Sequence, residues 1–299
     1  METPSFVTVQ DLFVFHVGAG APCSIKAIPP CTLPDLDYVV LPDGSPPTSP
    51  PRPLPPQQEE EKKRRRRLMT AKSMGILCRG GSDQEEFAVA EMLLFKPSRF
   101  EVYADIFLLR SSSTSSPADE LPQLGGEWTS MRVPIHISDD HRKADDTWKL
   151  CLWQTDTVIP FGNKYLCWVD YYRGILFVDV FAEGPTISFL RFPLAAFPDT
   201  HNRSIACSWL YRCVTAINGD TLKFVDVARN DGVGYGALKP RVGFTVTCHT
   251  LTVVTGNNGM VWSQDCAVTS DELWSANPHE RPPRDVLMWT WTGRTSCTL

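Results

Sequence analysis

Along most of the chain, apolar residues come in short runs of strand length, separated by Gly, Pro, Asn, Asp or Ser. That spacing predicts β-strands, because an amphipathic helix would instead repeat its apolar positions every three or four residues. Phe6 to Phe15 reads as one or two strands. Phe87 to Phe95 and Phe100 to Leu109 read as two more, with Lys96-Pro97-Ser98 turning between them. Phe87 to Leu94 also holds the helix formers Ala, Glu, Met and Leu, but its shortness and the proline after it favour a strand. Later runs are Tyr165 to Val169, Leu176 to Val180, Ile187 to Leu194, Cys213 to Ile217, Phe244 to Val254 and Met260 to Val268.

One regularity stands out. Phe-Val-Asp-Val occurs at 177–180 and again at 224–227, an offset of 226 − 179 = 47 residues. Each copy follows an apolar strand and a glycine-containing turn, with Gly174 before the first and Gly219 before the second. Repeats of this length, each worth several strands, are the sequence signature of propeller blades. Trp168, Trp209 and Trp262 fit such blades as the bulky residues that pack between sheets.

Two segments break the β pattern. Pro42 to Pro56 is dominated by proline, which fixes φ and supplies no N–H, so it predicts an exposed polyproline-like linker. Glu59-Glu60-Glu61 and the basic run Lys62, Lys63, Arg64, Arg65, Arg66, Arg67 follow it. Ser111 to Pro117 is a Ser/Thr tract leading on to Gly126 and predicts a second disordered insertion. The parts are then an N-terminal β segment (1–41), the Pro-rich linker with its charge run (42–72), a β segment (73–110), the Ser-rich loop (111–126), a propeller-like core (127–275) and a C-terminal tail (276–299).

Composition narrows the function. A net charge of −5 argues against nucleic acid as the partner, since neutralising many phosphates takes a positive excess. The apolar stretch from Leu12 to Val17 is too short to cross a bilayer and lacks the flanks of an export signal, which predicts an intracellular protein of the cytoplasm or nucleus. The ten cysteines then stay reduced, and Cys151, Cys167, Cys207, Cys213 and Cys248 read as small hydrophobes within strands.

Each group of chemistry-bearing residues also admits an ordinary structural role. Lys62 to Arg67 suits a nuclear-import signal, against which stands a solvated loop balanced by Glu59 to Glu61. His136 to Asp146 is rich in imidazole and carboxylate, yet its spacing matches no closed ligand set, and Arg142 and Lys143 would repel a cation; it reads as a surface loop. Cys248 and His249 are adjacent, so on a strand they face opposite ways and make no nucleophile–base dyad. No Cys-x-x-Cys pair, nucleophile elbow or phosphate loop occurs, and Gly232 to Gly236 reads as a plain loop. Asp170, Asp179 and Asp226 read as residues that close turns or bind backbone N–H groups rather than as reacting carboxylates. No catalytic, cofactor or metal residue is assigned.

Leu166-Cys167-Trp168-Val169-Asp170 through Asp179-Val180, with Leu222 to Val225 and Trp262 to Cys266, resembles a plant family known mainly from grasses, domain-of-unknown-function family 1618. Asp11 to Phe15 and Met74 to Arg79 resemble its preceding part. The same block is similar, more distantly, to propellers attached to F-box proteins. The resemblance implies an all-β, propeller-like fold, incomplete or divergent, carrying the disordered Pro-rich and Ser-rich insertions, and it implies no activity and no catalytic residue. The expected function is a non-enzymatic protein–protein interaction module, an adaptor or substrate-recognition protein without its own F-box, with an unidentified protein partner and no cofactor or membrane. The alternative is a hydrolase-like enzyme with a loop-built site in the propeller channel.

Overall fold

The apolar runs do become strands. In the computed structural model, the residues described are 10–16, 24–33, 67–80, 86–98, 101–111, 126–137, 143–194, 211–231, 241–254 and 259–276. They form fourteen strands and two short helices, a mostly-β protein in keeping with the propeller-like class. The chain divides into two compact units, one holding most of residues 1–190 and the other most of 191–299.

The first unit begins with a hairpin, β1 (Leu12–His16) against β2 (Ser24–Ile28). Two four-stranded antiparallel meanders follow. The first is β3 (Met74–Arg79), β4 (Glu86–Ser98), β5 (Glu101–Arg110) and β6 (Trp128–Ile137). The second is β7 (Thr157–Phe161), β8 (Tyr165–Asp170), β9 (Gly174–Asp179) and β10 (Ile187–Arg191). Parallel pairing of Ile187 with Ile135 joins β10 to β6, giving one eight-stranded sheet in the order β3-β4-β5-β6-β10-β9-β8-β7.

This sheet curls until its two end strands meet. Alternate residues of each meander face one another: Ala88, Ala90, Met92, Ala104, Ile106 and Leu108 from the first, with Leu166, Trp168, Leu176, Val178 and Ile187 from the second. A Cβ built on Gly75 of β3 would lie 2.5 Å from Val158 Cγ1 of β7, so only glycine allows the approach. Pro160 in β7 has no N–H to offer, and a proline is tolerated there because β7 is an edge strand. The result is a barrel-like sheet whose seam is packed rather than laddered. Gly75→Val is expected to cost about 1–3 kcal/mol by overpacking this seam. A urea midpoint equal to that of the unchanged protein would refute the tight approach.

The second unit carries a third meander: β11 (Arg212–Ile217), β12 (Thr221–Arg229), β13 (Phe244–Val254) and β14 (Gly259–Thr269), in simple antiparallel order. Its aromatic centre is Phe224, stacked on Phe192 at 4.1 Å between ring centroids, with Trp262 at 5.9 Å from Phe224. Trp209 lies outside the described residues.

The strand register recasts the repeat. Phe177 sits on the third strand of its meander and Phe224 on the second of its own. The turns align the two meanders differently. Gly162 and Asn163 between β7 and β8, like Asn218 and Gly219 between β11 and β12, all take left-handed φ of 50–80°. Counting from these turns matches Leu166-Cys167-Trp168-Val169-Asp170 with Leu222-Lys223-Phe224-Val225-Asp226, an offset of 226 − 170 = 56.

The two helices are α1 (Lys143–Cys151) and α2 (Ser270–Ala276). The surface-loop reading of 136–146 is therefore corrected at both ends: His136 lies on β6, and Lys143 opens α1. Cys151 likewise ends a helix instead of lying in a strand. Lys149 in the last turn of α1 suits the helix dipole.

Candidate functional site

Each meander is tied at its start by a buried carboxylate on its second strand. Glu91 on β4 is 1% exposed; its Oε1 accepts from Thr70 N at 2.8 Å and Ser73 Oγ at 3.1 Å, and its Oε2 from Arg67 Nε at 2.9 Å. Asp170 on β8 is fully buried and accepts from Gln154 N at 2.8 Å, just ahead of β7. Asp226 on β12 accepts from Arg212 Nε at 2.7 Å, at the first residue of β11. A buried acid persists when hydrogen bonds compensate its lost hydration, and here the partners come from the segment entering the same meander. Asp179 acts differently, its Oδ1 receiving Phe181 N at 3.1 Å and Ala182 N at 3.2 Å to close a turn. These are positioning roles, and Glu91, an acid inside an apolar run, is the one the sequence reading did not single out.

Of the basic run, Lys62 to Arg66 lie outside the described residues. Arg67 belongs to the fold: its guanidinium pairs with Glu91 and lies 3.7 Å from the centre of the Phe107 ring. Gly232 to Gly236 and Ser138 to Arg142 also fall outside the described residues. Among the described residues, no three His, Cys, Asp or Glu side chains converge as a metal ion would require.

Among the described residues, one face of the β1–β2 hairpin carries a row of exposed apolar side chains. Phe13 pairs with Ala27 and Phe15 with Ile25, and all four are exposed, Phe13 at 63%, Phe15 at 59% and Ile25 at 58%. The alternation of the strands turns Leu12, Val14 and Ile28 the other way. The flanks of the hairpin are firmly held. Gln10 bonds the backbone of Met69 in both directions, Arg67 N donates to Cys31 O at 2.8 Å, and Trp128 Nε1 donates to Pro29 O at 2.8 Å. Burial pushes the Cys31 thiol above its ordinary pKa, so it stays protonated and unreactive.

A second concentration of chemistry lies on one face of the third meander. Asp265 on β14 binds Lys223 Nζ at 2.8 Å and Thr250 Oγ1 at 2.7 Å. The ammonium and the hydroxyl hold its carboxyl below the usual range. Cys248 Sγ is 3.5 Å from the same carboxylate, and burial followed by that carboxylate raises its pKa. On the opposite face His249 is buried, with Nδ1 lacking a hydrogen-bond partner among the described residues; burial lowers its pKa, so the imidazole is held neutral. Cys248 and His249 thus face apart, as their adjacency on a strand requires.

Residues 168–292, from the core tryptophan of β8 through the third meander and beyond α2, match the model of a family described as a protein of unknown function (DUF1618). This stretch belongs to DUF1618. The DUF1618 match reaches neither an organism nor the F-box-attached propellers, and no curated protein or solved structure matches the chain. Within the DUF1618 stretch lie Trp168, Asp170, the aromatic centre at Phe224 and the Lys223–Asp265 cluster; the exposed hairpin lies outside it. Among the described residues, no helix is long and apolar enough to cross a membrane.

Proposed function

We propose that this chain is a non-enzymatic interaction module, working inside the cell, whose hairpin face takes up an apolar segment of another protein. The observation that supports it is the row Phe13, Phe15, Ile25 and Ala27, apolar throughout and exposed on a hairpin clamped to the fold. Contiguous apolar patches on soluble proteins mark contact sites, because covering each large side chain gains about 1.5–3 kcal/mol. Among the described residues, no further strand pairs with either edge of the two-stranded sheet, which suits addition of a partner strand. In this reading the chain is an adaptor or substrate-recognition piece, with any ligase-recruiting function supplied by a separate subunit.

The test is affinity purification of the tagged chain and of a Phe13→Asp/Phe15→Asp variant, each first shown to be folded by circular dichroism. One near-stoichiometric protein should be retained by the unchanged chain and its recovery cut about tenfold or more by the double substitution. Equal recovery by both, or no stoichiometric partner for either, would overturn the proposal.

A further inference from the structure

We propose that Cys248 and Cys266 form an oxidisable dithiol that closes a disulfide across β13 and β14. The pairing of the third meander sets Cys213, Val225, Cys248 and Cys266 in one row across its four strands. Directly paired residues of antiparallel strands have Cα atoms about 4.5–5.5 Å apart, inside the span a disulfide bridges. Cys213 stands two strands from Cys248, roughly 10 Å away, and is out of reach. The same row thus contains its own control.

A bulge at this point sharpens the arrangement. The register shifts between Cys248 and His249, so that His249 pairs with Gln264 while Cys248 pairs with Cys266, leaving Asp265 as the extra residue. Bulges re-aim side chains, and here Asp265 and Cys266 both stand opposite Cys248. Asp265 is fixed by Lys223 and Thr250 and is in hydrogen-bonding contact with the Cys248 thiol. Cys266 is exposed and Cys248 half-buried.

The division of labour follows from exposure. A peroxide reaches Cys266 first: the sulfur attacks one oxygen, the O–O bond breaks, and Cys266 sulfenic acid and water form. The Cys248 sulfur then attacks the Cys266 sulfur, the S–O bond breaks, and the hydroxyl leaves as water with the Cys248 proton. Two thiols are oxidised and one peroxide is reduced to two waters. The elevated pKa of Cys248 keeps it protonated until that second step.

The full chain is treated under native conditions with hydrogen peroxide, its free thiols are blocked, and it is cleaved before Asp265, which separates the two cysteines. Expected is a linked peptide pair lighter by two hydrogens, restored by dithiothreitol and formed equally well by Cys213→Ser. The Cys248→Ser variant should leave Cys266 as a sulfenic acid that dimedone traps. Free Cys248 beside over-oxidised Cys266 in the unchanged protein would overturn the proposal, as would linkage to Cys213 in equal yield.

Discussion

Replacing Trp168 with alanine is expected to destabilise the first unit by about 3–5 kcal/mol, the usual cost of emptying a large buried aromatic site. Domains of this size are stable by about 5–15 kcal/mol, so the variant should sit near the edge of folding. The side chain is fully buried between the facing meanders, and its Nε1 donates to the carbonyl of Ser73 at 2.7 Å. Packing and polarity can be separated. Trp168→Phe keeps most of the apolar area and loses the bond, and Ser73 O still receives Met92 N at 3.3 Å. That variant should lose only about 1–2 kcal/mol. Denaturant midpoints followed by circular dichroism decide the matter, and near-equal losses for the two variants would mean that the hydrogen bond, not the packing, carries the site.

Glu91→Ala should rival it. Removing the carboxylate takes the ion-pair partner from the Arg67 guanidinium, whose side chain is 9% exposed, and the side-chain acceptor from Thr70 N, while Ser73 Oγ keeps Thr70 O at 3.0 Å. Breaking a buried pair from one side costs about 3–5 kcal/mol, because the surviving charge loses its counter-ion in a site poor in water. Glu91→Gln retains an acceptor oxygen and should lose less, about 1–3 kcal/mol. The double variant Arg67→Met/Glu91→Met should recover much of the loss. An additive double variant would show that the two side chains do not depend on one another.

These two residues also mark how far the sequence could be read. Trp168 was legible, since a tryptophan in an apolar run bounded by turns is a core residue in most β folds. Glu91 was not: within Phe87 to Leu94 it counted as a helix former, and two of its partners, Arg67 and Thr70, lie upstream in the stretch read as linker. Strands with clean apolar runs, such as Phe244 to Val254, were found at their observed bounds. Trp128–Ile137 was missed because Arg132 and Pro134 interrupt it. Arg132 pairs with Asp105, and Pro134 precedes the point where β10 begins to pair, so neither disturbs the ladder.

Of the hairpin, β1 was legible as a strand within Phe6 to Phe15, whereas β2, Ser24–Ile28, was not among the runs read as strands, and no local pattern announced that the apolar side of the hairpin would stay uncovered. The repeat was visible with the wrong partner. Identical residues drew attention to Phe177 and Phe224, whereas shared turn geometry matches Trp168 with Phe224 and Asp170 with Asp226, a pairing hidden because tryptophan and phenylalanine fill the same role without being the same letter.

The carboxylate ties at the start of each meander bear on the order in which the chain assembles. The anchoring bonds span 14 residues for Asp226 with Arg212, 16 for Asp170 with Gln154 and 24 for Glu91 with Arg67. Closing loops of that size sacrifices little chain entropy, so each meander can be pinned as soon as its first two strands leave the ribosome. Joining β6 to β10 spans a longer stretch, Ile135 to Ile187, and must wait for the second meander to be finished. Until then the first meander exposes the flank of β6, an unpaired strand edge of the kind that makes partly folded chains prone to association.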